Sequence, residues 1–397
     1  MRIHRLLLPL FLLLLLVGNS FGATLSERTY KRLTTIQELM GENKYKEALQ
    51  RLDTLASKVR KHGYEYATVM QTYGFAYAAT DQYRKAVKAF NEALKTETLP
   101  DQVQQSMRYN LAQLYAAIPD WKAAARAYEQ WLTTAENPSA DTYAFGATIY
   151  AQLKQYDKAI PKIQKAIKLA KKPRENWYQL LLSMLYQKKQ YSKAATVLES
   201  MVAFWPEKKQ YWKQLSGVYF TLKKNRRSLA VLELAHKQGF LEKERELMNL
   251  INMYLLQNIP YKAAKILEKE MQAGRIERNG KNLQKLGEAW MRARETDEAL
   301  VELQAAAQAQ NKGVLFLRLA QLYTDKENWK KVIEMTGKAL AAGGLRNPGD
   351  AYLLKGMAFY EIGKKKSAIA SFSKAMKYAK SKRQASQWIT HIRTEGA

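Results

Sequence analysis

An alanine returns along this chain at an almost fixed interval. It stands at Ala48, Ala86, Ala124, Ala159, Ala194, Ala263, Ala299 and Ala368, with Ser228 and Val332 holding two further places in the same series. A period of this length is too long for one helix or strand, so it marks a supersecondary unit that is copied and stacked. Neighbouring units stabilise such an array, and its 397 residues need not divide into separate globular cores. The best-formed copy spans residues 74–93, with Gly74, Tyr77, a turn around Asp81, then Tyr83, Ala86, Phe90 and Ala93.

Read as two helices joined by a turn, each copy places one small side chain on each helix where the two cross. Helices that approach to about 8 Å need small residues there, because a larger side chain pushes the axes apart. In the first helix the small position reads Gly74, Ala112, Ala147, Ser216, Gly287, Ala320 and Gly356. Three residues on stand Tyr77, Tyr115, Tyr150, Tyr219, Trp290, Tyr323 and Phe359. The tyrosine rings supply apolar area, and their hydroxyls are expected to reach a backbone carbonyl or water. In the second helix, apolar residues follow the alanine at four and seven places on, as in Ala124, Tyr128, Trp131 and Ala159, Ile163, Ala166. Asp81, Asp120 and Asn328 read as N-caps of second helices, and Pro260 starts one. Three copies depart, with Ile36, Leu182 and Ile251 at the small position; their helix pairs should be wider. The Gly-containing links 272–281 and 341–350 read as flexible joints. Ala385, Trp388, Ile389 and Ile392 form one apolar stripe, the mark of a helix that caps the array.

This pattern resembles the tetratricopeptide repeat (TPR) over nearly the whole chain. The resemblance implies an all-α, right-handed superhelical TPR solenoid of about ten helix-turn-helix repeats over residues 25–382, with a C-terminal capping helix and tail at 383–397. No internal domain boundary is marked in the sequence. The late proline usual in the family stands in place once, at Pro206.

The N-terminus reads as a signal peptide over residues 1–22: Arg2 and Arg5, an apolar run from Leu6 to Val17, and the small-residue exit Gly18-Asn19-Ser20-Phe21-Gly22. About 12 apolar residues fall short of the roughly 20 that a span needs, so cleavage after Gly22 and a periplasmic protein are expected, with an uncleaved anchor as the alternative. The chain has no cysteine, so packing alone must hold it. Its net charge is +29, or +27 without Arg2 and Arg5. Export argues against nucleic acid as the partner, which leaves acidic proteins, anionic envelope polymers and lipid headgroups. Basic clusters fall at turns, including Lys188-Lys189, Lys223-Lys224-Asn225-Arg226-Arg227 and Lys364-Lys365-Lys366.

No catalytic, cofactor or metal constellation stands out. The four histidines are scattered, and no phosphate loop, GxSxG elbow or HExxH motif occurs; the reading is a binding protein and not an enzyme. Trp121, Trp131, Trp177, Trp212, Trp290 and Trp329 fall near core positions of the repeat, whereas Trp205 has no such explanation. The resemblance implies that first helices line a concave groove. Positions expected there include Gln71, Tyr109, Phe145, Gln179, Gln214, Asn249, Asn252, Gln284, Arg318 and Gln321, many of them amides that can bond a peptide backbone. TPR domains that grip a C-terminal carboxylate use a Lys and an Asn, then an Asn, then two basic residues on three successive repeats. Lys213, Asn249, Lys281 and Lys285 match those places, while Gly217 stands where the first Asn belongs and Lys285 where Arg is usual. With Asn252 these are the candidate partner-binding residues. The layout, including the stretch 25–40, also resembles exported TPR proteins that accompany TonB-type energy-transduction systems. That resemblance implies an accessory role in coupling an inner-membrane motor to outer-membrane uptake, with that machinery's proteins as partners; the scaffold is expected to bind an extended peptide or protein partner in its groove, and the rival reading is an envelope polysaccharide or peptidoglycan factor acting through its basic edges on an anionic polymer.

Overall fold

A computed structural model describes residues 25–395, and every regular element among them is an α-helix. The leader expected at residues 1–22 lies outside the described residues. The chain divides into two compact units between Phe204 and Trp205. The repeat pattern runs through this point without a break, with Ala194 and Ser228 one ordinary period apart, so periodicity carries no sign of it.

The first unit holds five helix pairs: α1 (Glu27–Gly41) with α2 (Tyr45–Ala56), α3 (Gly63–Ala79) with α4 (Tyr83–Leu94), α5 (Asp101–Ala117) with α6 (Trp121–Leu132), α7 (Ala140–Gln152) with α8 (Tyr156–Leu169), and α9 (Glu175–Gln187) with α10 (Tyr191–Phe204). The second holds five more and a closing helix: α11 (Lys209–Thr221) with α12 (Asn225–Lys237), α13 (Glu244–Leu256) with α14 (Pro260–Gln272), α15 (Gly280–Ala293) with α16 (Thr296–Gln310), α17 (Gly313–Asp325) with α18 (Trp329–Ala342), α19 (Pro348–Glu361) with α20 (Lys365–Ala375), and α21 (Ala379–Thr394). The cap begins at Ala379, earlier than the residue 383 expected. It buries Ala385, Ile389 and Ile392, and stacks Trp388 on Phe372 with ring centroids 5.6 Å apart.

All ten places of the alanine series are buried, Ser228 and Val332 included. The crossing residue of the first helix grades the pairs. Backbones run close together over the greatest length where that residue is glycine or alanine, as in α15/α16 and α3/α4, over less at Ser216, and over least in α1/α2, α9/α10 and α13/α14. Those last three carry Ile36, Leu182 and Ile251, all buried at the crossing. At α11/α12 two hydroxyls replace two methyls: Ser216 Oγ and Ser228 Oγ lie 2.9 Å apart, and Ser228 Oγ donates to the Ser216 carbonyl at 2.9 Å. Reciprocal bonding lets two buried polar groups occupy an apolar crossing without loss. The sequence reading did not single out Gly146, beside Ala147. A Cβ there would fall inside the Tyr128 ring.

The turns inside the pairs share one backbone solution. In all ten, the residue two places before the second helix has a positive φ: Asn43, Asp81, Lys154, Lys189, Lys223, Asn258, Arg294, Glu327 and Gly363 at 53–76°, and Pro119 at 26°. Except at the proline, its N–H and the next bond back into the first helix, as Asp81 N to Ala78 O and Gln82 N to Tyr77 O, which satisfies carbonyls left open at the helix end. Asp81 is thus a turn residue and not the expected N-cap; its carboxylate accepts a hydrogen bond from the Tyr83 hydroxyl. Asp120 and Asn328 do cap, accepting from Ala123 N and Lys331 N at 3.0 and 3.2 Å. The link after α14, expected as a flexible joint, is pinned. Ile276 is buried, Arg278 makes two bonds to Glu302 at 3.0 and 2.9 Å, and Arg275 bonds Glu270 at 2.5 Å. In the link after α18, Gly343 and Gly344 have successive φ angles of 69° and 70°, a pair that side chains disfavour.

Two helical glycines test the crossing. At Gly287 an added Cβ would lie 2.6 Å from Leu303 Cγ and 3.0 Å from its backbone N, whereas at Gly217 it would meet nothing within 4 Å. Gly287→Ala should destabilise by about 1 kcal/mol net, overpacking outweighing the gain in helix propensity. Gly217→Ala should stabilise by about 0.5–1 kcal/mol. Thermal unfolding of the two variants checks the opposite signs.

Candidate functional site

Three first helices of the second unit, α11, α13 and α15, present a largely polar stripe at helical spacing. On α11 it runs through Gln210, Gln214, Gly217 and Thr221, and on α13 through Arg245, Asn249, Asn252 and Leu256, all exposed. On α15 it runs through Lys281, Lys285, Glu288 and Arg292, of which Lys281 and Arg292 are exposed. Gln71, expected on the corresponding face of α3, is buried. The face of the first unit differs in kind: Tyr109 and Phe145 are half-buried there and meet edge to face, 5.7 Å between centroids. A cleft of about 940 Å³ opens beside Arg108, Trp131 and Asn137, and the Trp131 ring there lies 4.7 Å from that of Tyr109.

The candidate residues have different fates. Lys213 is half-buried, and its ammonium lies 2.5 Å from Glu246 Oε1 on the next first helix. Glu246 Oε2 also accepts from the N–H groups of Glu242 and Lys243 at 3.1 and 3.3 Å, so one carboxylate caps α13 and ties it to α11. Burial pushes the Glu246 carboxyl up, but the Lys213 ammonium and these two N–H groups outweigh it and hold the group below the usual carboxylate range. Lys285 donates to Asn252 Oδ1 at 3.1 Å, which brings two candidates together. Asn249 and Lys281 are exposed. The cation of the first clamp position is therefore spent on the fold, and the arrangement departs from the carboxylate grip that the resemblance implies.

Rungs of this kind recur from one repeat to the next. Lys209 bonds Glu242 at 2.9 Å, Arg318 pairs with Glu288, and Arg292 donates to the Leu255 carbonyl at 3.0 Å and to Asn258 at 3.4 Å. Tyrosines make a second set. Tyr150 donates to Glu129 at 2.6 Å, Tyr254 donates to Glu233, and Tyr115 accepts from Asn91 at 3.1 Å. The partner is each time a side chain five places after the alanine position of the preceding second helix, not the expected backbone carbonyl or water. Burial, then the Glu129 carboxylate, holds the Tyr150 hydroxyl protonated well above the ordinary tyrosine range. His236, scattered in sequence, lies 3.0 Å from the fully buried Glu270, beside Arg275.

The tryptophans fall mostly as expected, with Trp131, Trp177 and Trp290 buried. Trp205 is half-buried, its ring 6.5 Å from that of Tyr211. Among the described residues, no group of three or more His, Asp or Glu side chains is placed to hold a metal, and no helix is long and apolar enough to cross a membrane.

Loss of the Lys213–Glu246 rung should be visible in acid. Because the Glu246 carboxyl is held down in the fold, its stabilisation is complete above the unfolded carboxylate value of about 4.3 and is lost as pH falls through the lower folded value. Unfolding midpoints measured from pH 7 to pH 3 should fall less steeply in Glu246→Gln than in the parent. Lys213→Met should cost about 1–2 kcal/mol at pH 7 by leaving a half-buried carboxylate unpaired.

The family comparison agrees with this architecture. Descriptions of the tetratricopeptide repeat match residues 76–141, 140–173 and 349–382, so the chain contains such repeats. Among solved structures, a TPR protein of Parabacteroides merdae is similar at 15% identity over 75% of this chain and 99% of its own, with a TM-score of 0.38. MamA of Desulfovibrio magneticus is similar at 20% identity over 47% of this chain and 99% of its own, with a TM-score of 0.39. YrrB, reported as a TPR protein with an unusual peptide-binding site, is similar at 15% identity over 46% of this chain and 89% of its own, with a TM-score of 0.36. No curated protein matches the sequence.

Proposed function

We propose that this chain of tetratricopeptide repeats is an exported scaffold that holds an extended segment of a protein partner against the polar stripe of α11, α13 and α15. One observation carries the reading. Gly217 sits in the middle of a helix, costs it stability, and has no packing reason, since a Cβ there meets nothing within 4 Å. It is exposed in the stripe between Gln214 and Thr221. A glycine in that place lets another backbone approach the helix closely. The amides of Gln214 and Asn249 can donate to and accept from that backbone without demanding a particular side-chain sequence. Lys213 and Lys285 are turned to other groups, so recognition here rests on amides more than on an acidic terminus, with Arg245, Lys281 and Arg292 as exposed cations of the stripe.

The finer reading places the scaffold in the periplasm, beside a TonB-type energy-transduction system, with proteins of that machinery as partners. It draws on the leader pattern of residues 1–22 and on the resemblance in layout. A mature chain beginning at Ala23, found by mass spectrometry in the periplasmic fraction, is the expected result for export.

A photo-crosslinking residue placed at Gln214 or Asn249 should give defined protein adducts in cells. The same residue at Val301, exposed on α16, should not. Gly217→Leu should abolish the adducts while leaving the helix content of the protein unchanged. Equal adducts from Val301, or adducts that survive Gly217→Leu, would rule out the stripe as the binding face.

A further inference from the structure

The turn of the seventh pair breaks a rule that the other nine obey. Counting from the left-handed residue, Asn258 in this pair, three places differ. Two places before it the other pairs carry Gly, Ala, Thr or a polar residue; here stands Leu256. One place after it, at the N-cap, all nine others carry Lys, Gln, Asp, Glu or Asn; here stands Ile259. Three places after it all nine others carry a charged residue or serine; here stands Tyr261. None of the three is buried to explain the change, with relative exposures of 56%, 37% and 48%. An isoleucine is among the poorest N-caps, so the fold loses at this turn, both in capping and in solubility. Three departures of one kind within a single turn form an apolar tip; the Tyr261 ring also meets the buried Trp290 edge to face at 5.6 Å, whereas burial does not account for Leu256 or Ile259.

The sixth-pair flank of the tip is wholly cationic, whereas the eighth turn on the other flank mixes Arg292 and Arg294 with Glu295, Asp297 and Glu298. The rungs Lys209–Glu242 and Lys213–Glu246 set the first helices of neighbouring pairs side by side with one offset of 33 residues along the chain. The same offset puts Lys223 of the sixth turn in register with Leu256. Lys223, Lys224 and Arg226 are exposed and make no ion pair among the described residues, and Arg227 lies over the Tyr219 ring. On the other flank, Arg292 donates to two neutral groups at the edge of the tip, the Leu255 carbonyl and Asn258, and makes no ion pair among the described residues.

We propose that this turn edge, the apolar tip of the seventh pair between the cations of the sixth and Arg292, docks on the surface of a bilayer that carries anionic lipids. Exposed aliphatic and aromatic side chains on a turn fit insertion at the headgroup–acyl boundary, where a tyrosine is at home. The lysines and arginines beside them then lie at headgroup level, each strengthening attachment about fivefold. The chain would thus carry a partner on one face while one edge rests on a membrane.

The absence of cysteine makes a local test direct. The full chain with Ile259→Cys, labelled with a polarity-sensitive fluorophore, is mixed with vesicles of phosphatidylethanolamine and phosphatidylglycerol. Its emission should shift to the blue, and salt should reverse the shift. The same label at Leu234→Cys, exposed on α12, should not respond, which separates docking of the tip from attachment through residues 1–22. The triple variant Leu256→Gln, Ile259→Asn, Tyr261→Ser takes residue types found in the other turns and restores a capping residue, so it should fold. With the label at Lys223→Cys in both backgrounds, the triple variant should need about tenfold or more lipid for the same response. No shift at position 259 with anionic vesicles overturns the proposal, and so does an equal shift with pure phosphatidylcholine or an unchanged lipid requirement in the triple variant. A tip that serves a protein partner instead gives the first of these results.

Discussion

Everything in this molecule rests on how closely two helices of a pair can cross. A glycine or alanine on the first helix, set against an alanine on the second, lets the backbones run side by side, as at Gly74 against the Phe90 ring and Gly287 against Leu303. The grading through Ser216 to Ile36, Leu182 and Ile251 shows that the side chain at one position sets the tightness of a whole pair. Each pair then offers its neighbour a surface of fixed spacing, and the buried aromatic and aliphatic residues of the second helix fill it.

Between pairs, a second and polar layer of interactions works on the same period. Tyrosine hydroxyls reach carboxylates or an amide of the preceding second helix, and lysines and arginines of one first helix pair with acids or amides of the next. These bonds set register, because each requires its partner one repeat away. They also consume much of the charge on the first-helix face, Lys213 above all. What is left for a partner is a stripe of amides around an open glycine, while uncompensated cations collect at turns such as Lys223-Lys224.

Much of the fold is legible in the sequence because one steric requirement repeats ten times. A small residue must recur at each crossing, so Ala48 through Ala368 announce both the number of pairs and their boundaries. Turn chemistry is less legible. Asp81 has the side chain of an N-cap, but the left-handed geometry needed one residue earlier takes it; Asp120 and Asn328 lie one place further on in their turns and do cap. Gln71 shares the polarity of a groove residue yet is buried, with Val69, Thr72 and Tyr73 beside it buried as well. The candidate site was only partly readable. Lys213 and Lys285 were found by position, but the Glu246 and Asn252 that engage them lie a whole repeat away in sequence, and nothing local signals the pairing.

The sequence by itself determined the class, the unit and its copies: an all-helical array, crossing at small residues, strongly basic, with a seventh turn that is apolar where the others are polar. Those properties follow from side-chain size and local backbone preference, which act over a few residues and survive in a one-dimensional pattern. The tertiary structure alone decided which cations are spent and which are free, that the chain falls into two units after Phe204, and that Leu256, Ile259 and Tyr261 stand in solvent. These depend on what the next repeat brings alongside, and an ion pair or a buried surface exists only once two distant segments of the chain have been set side by side.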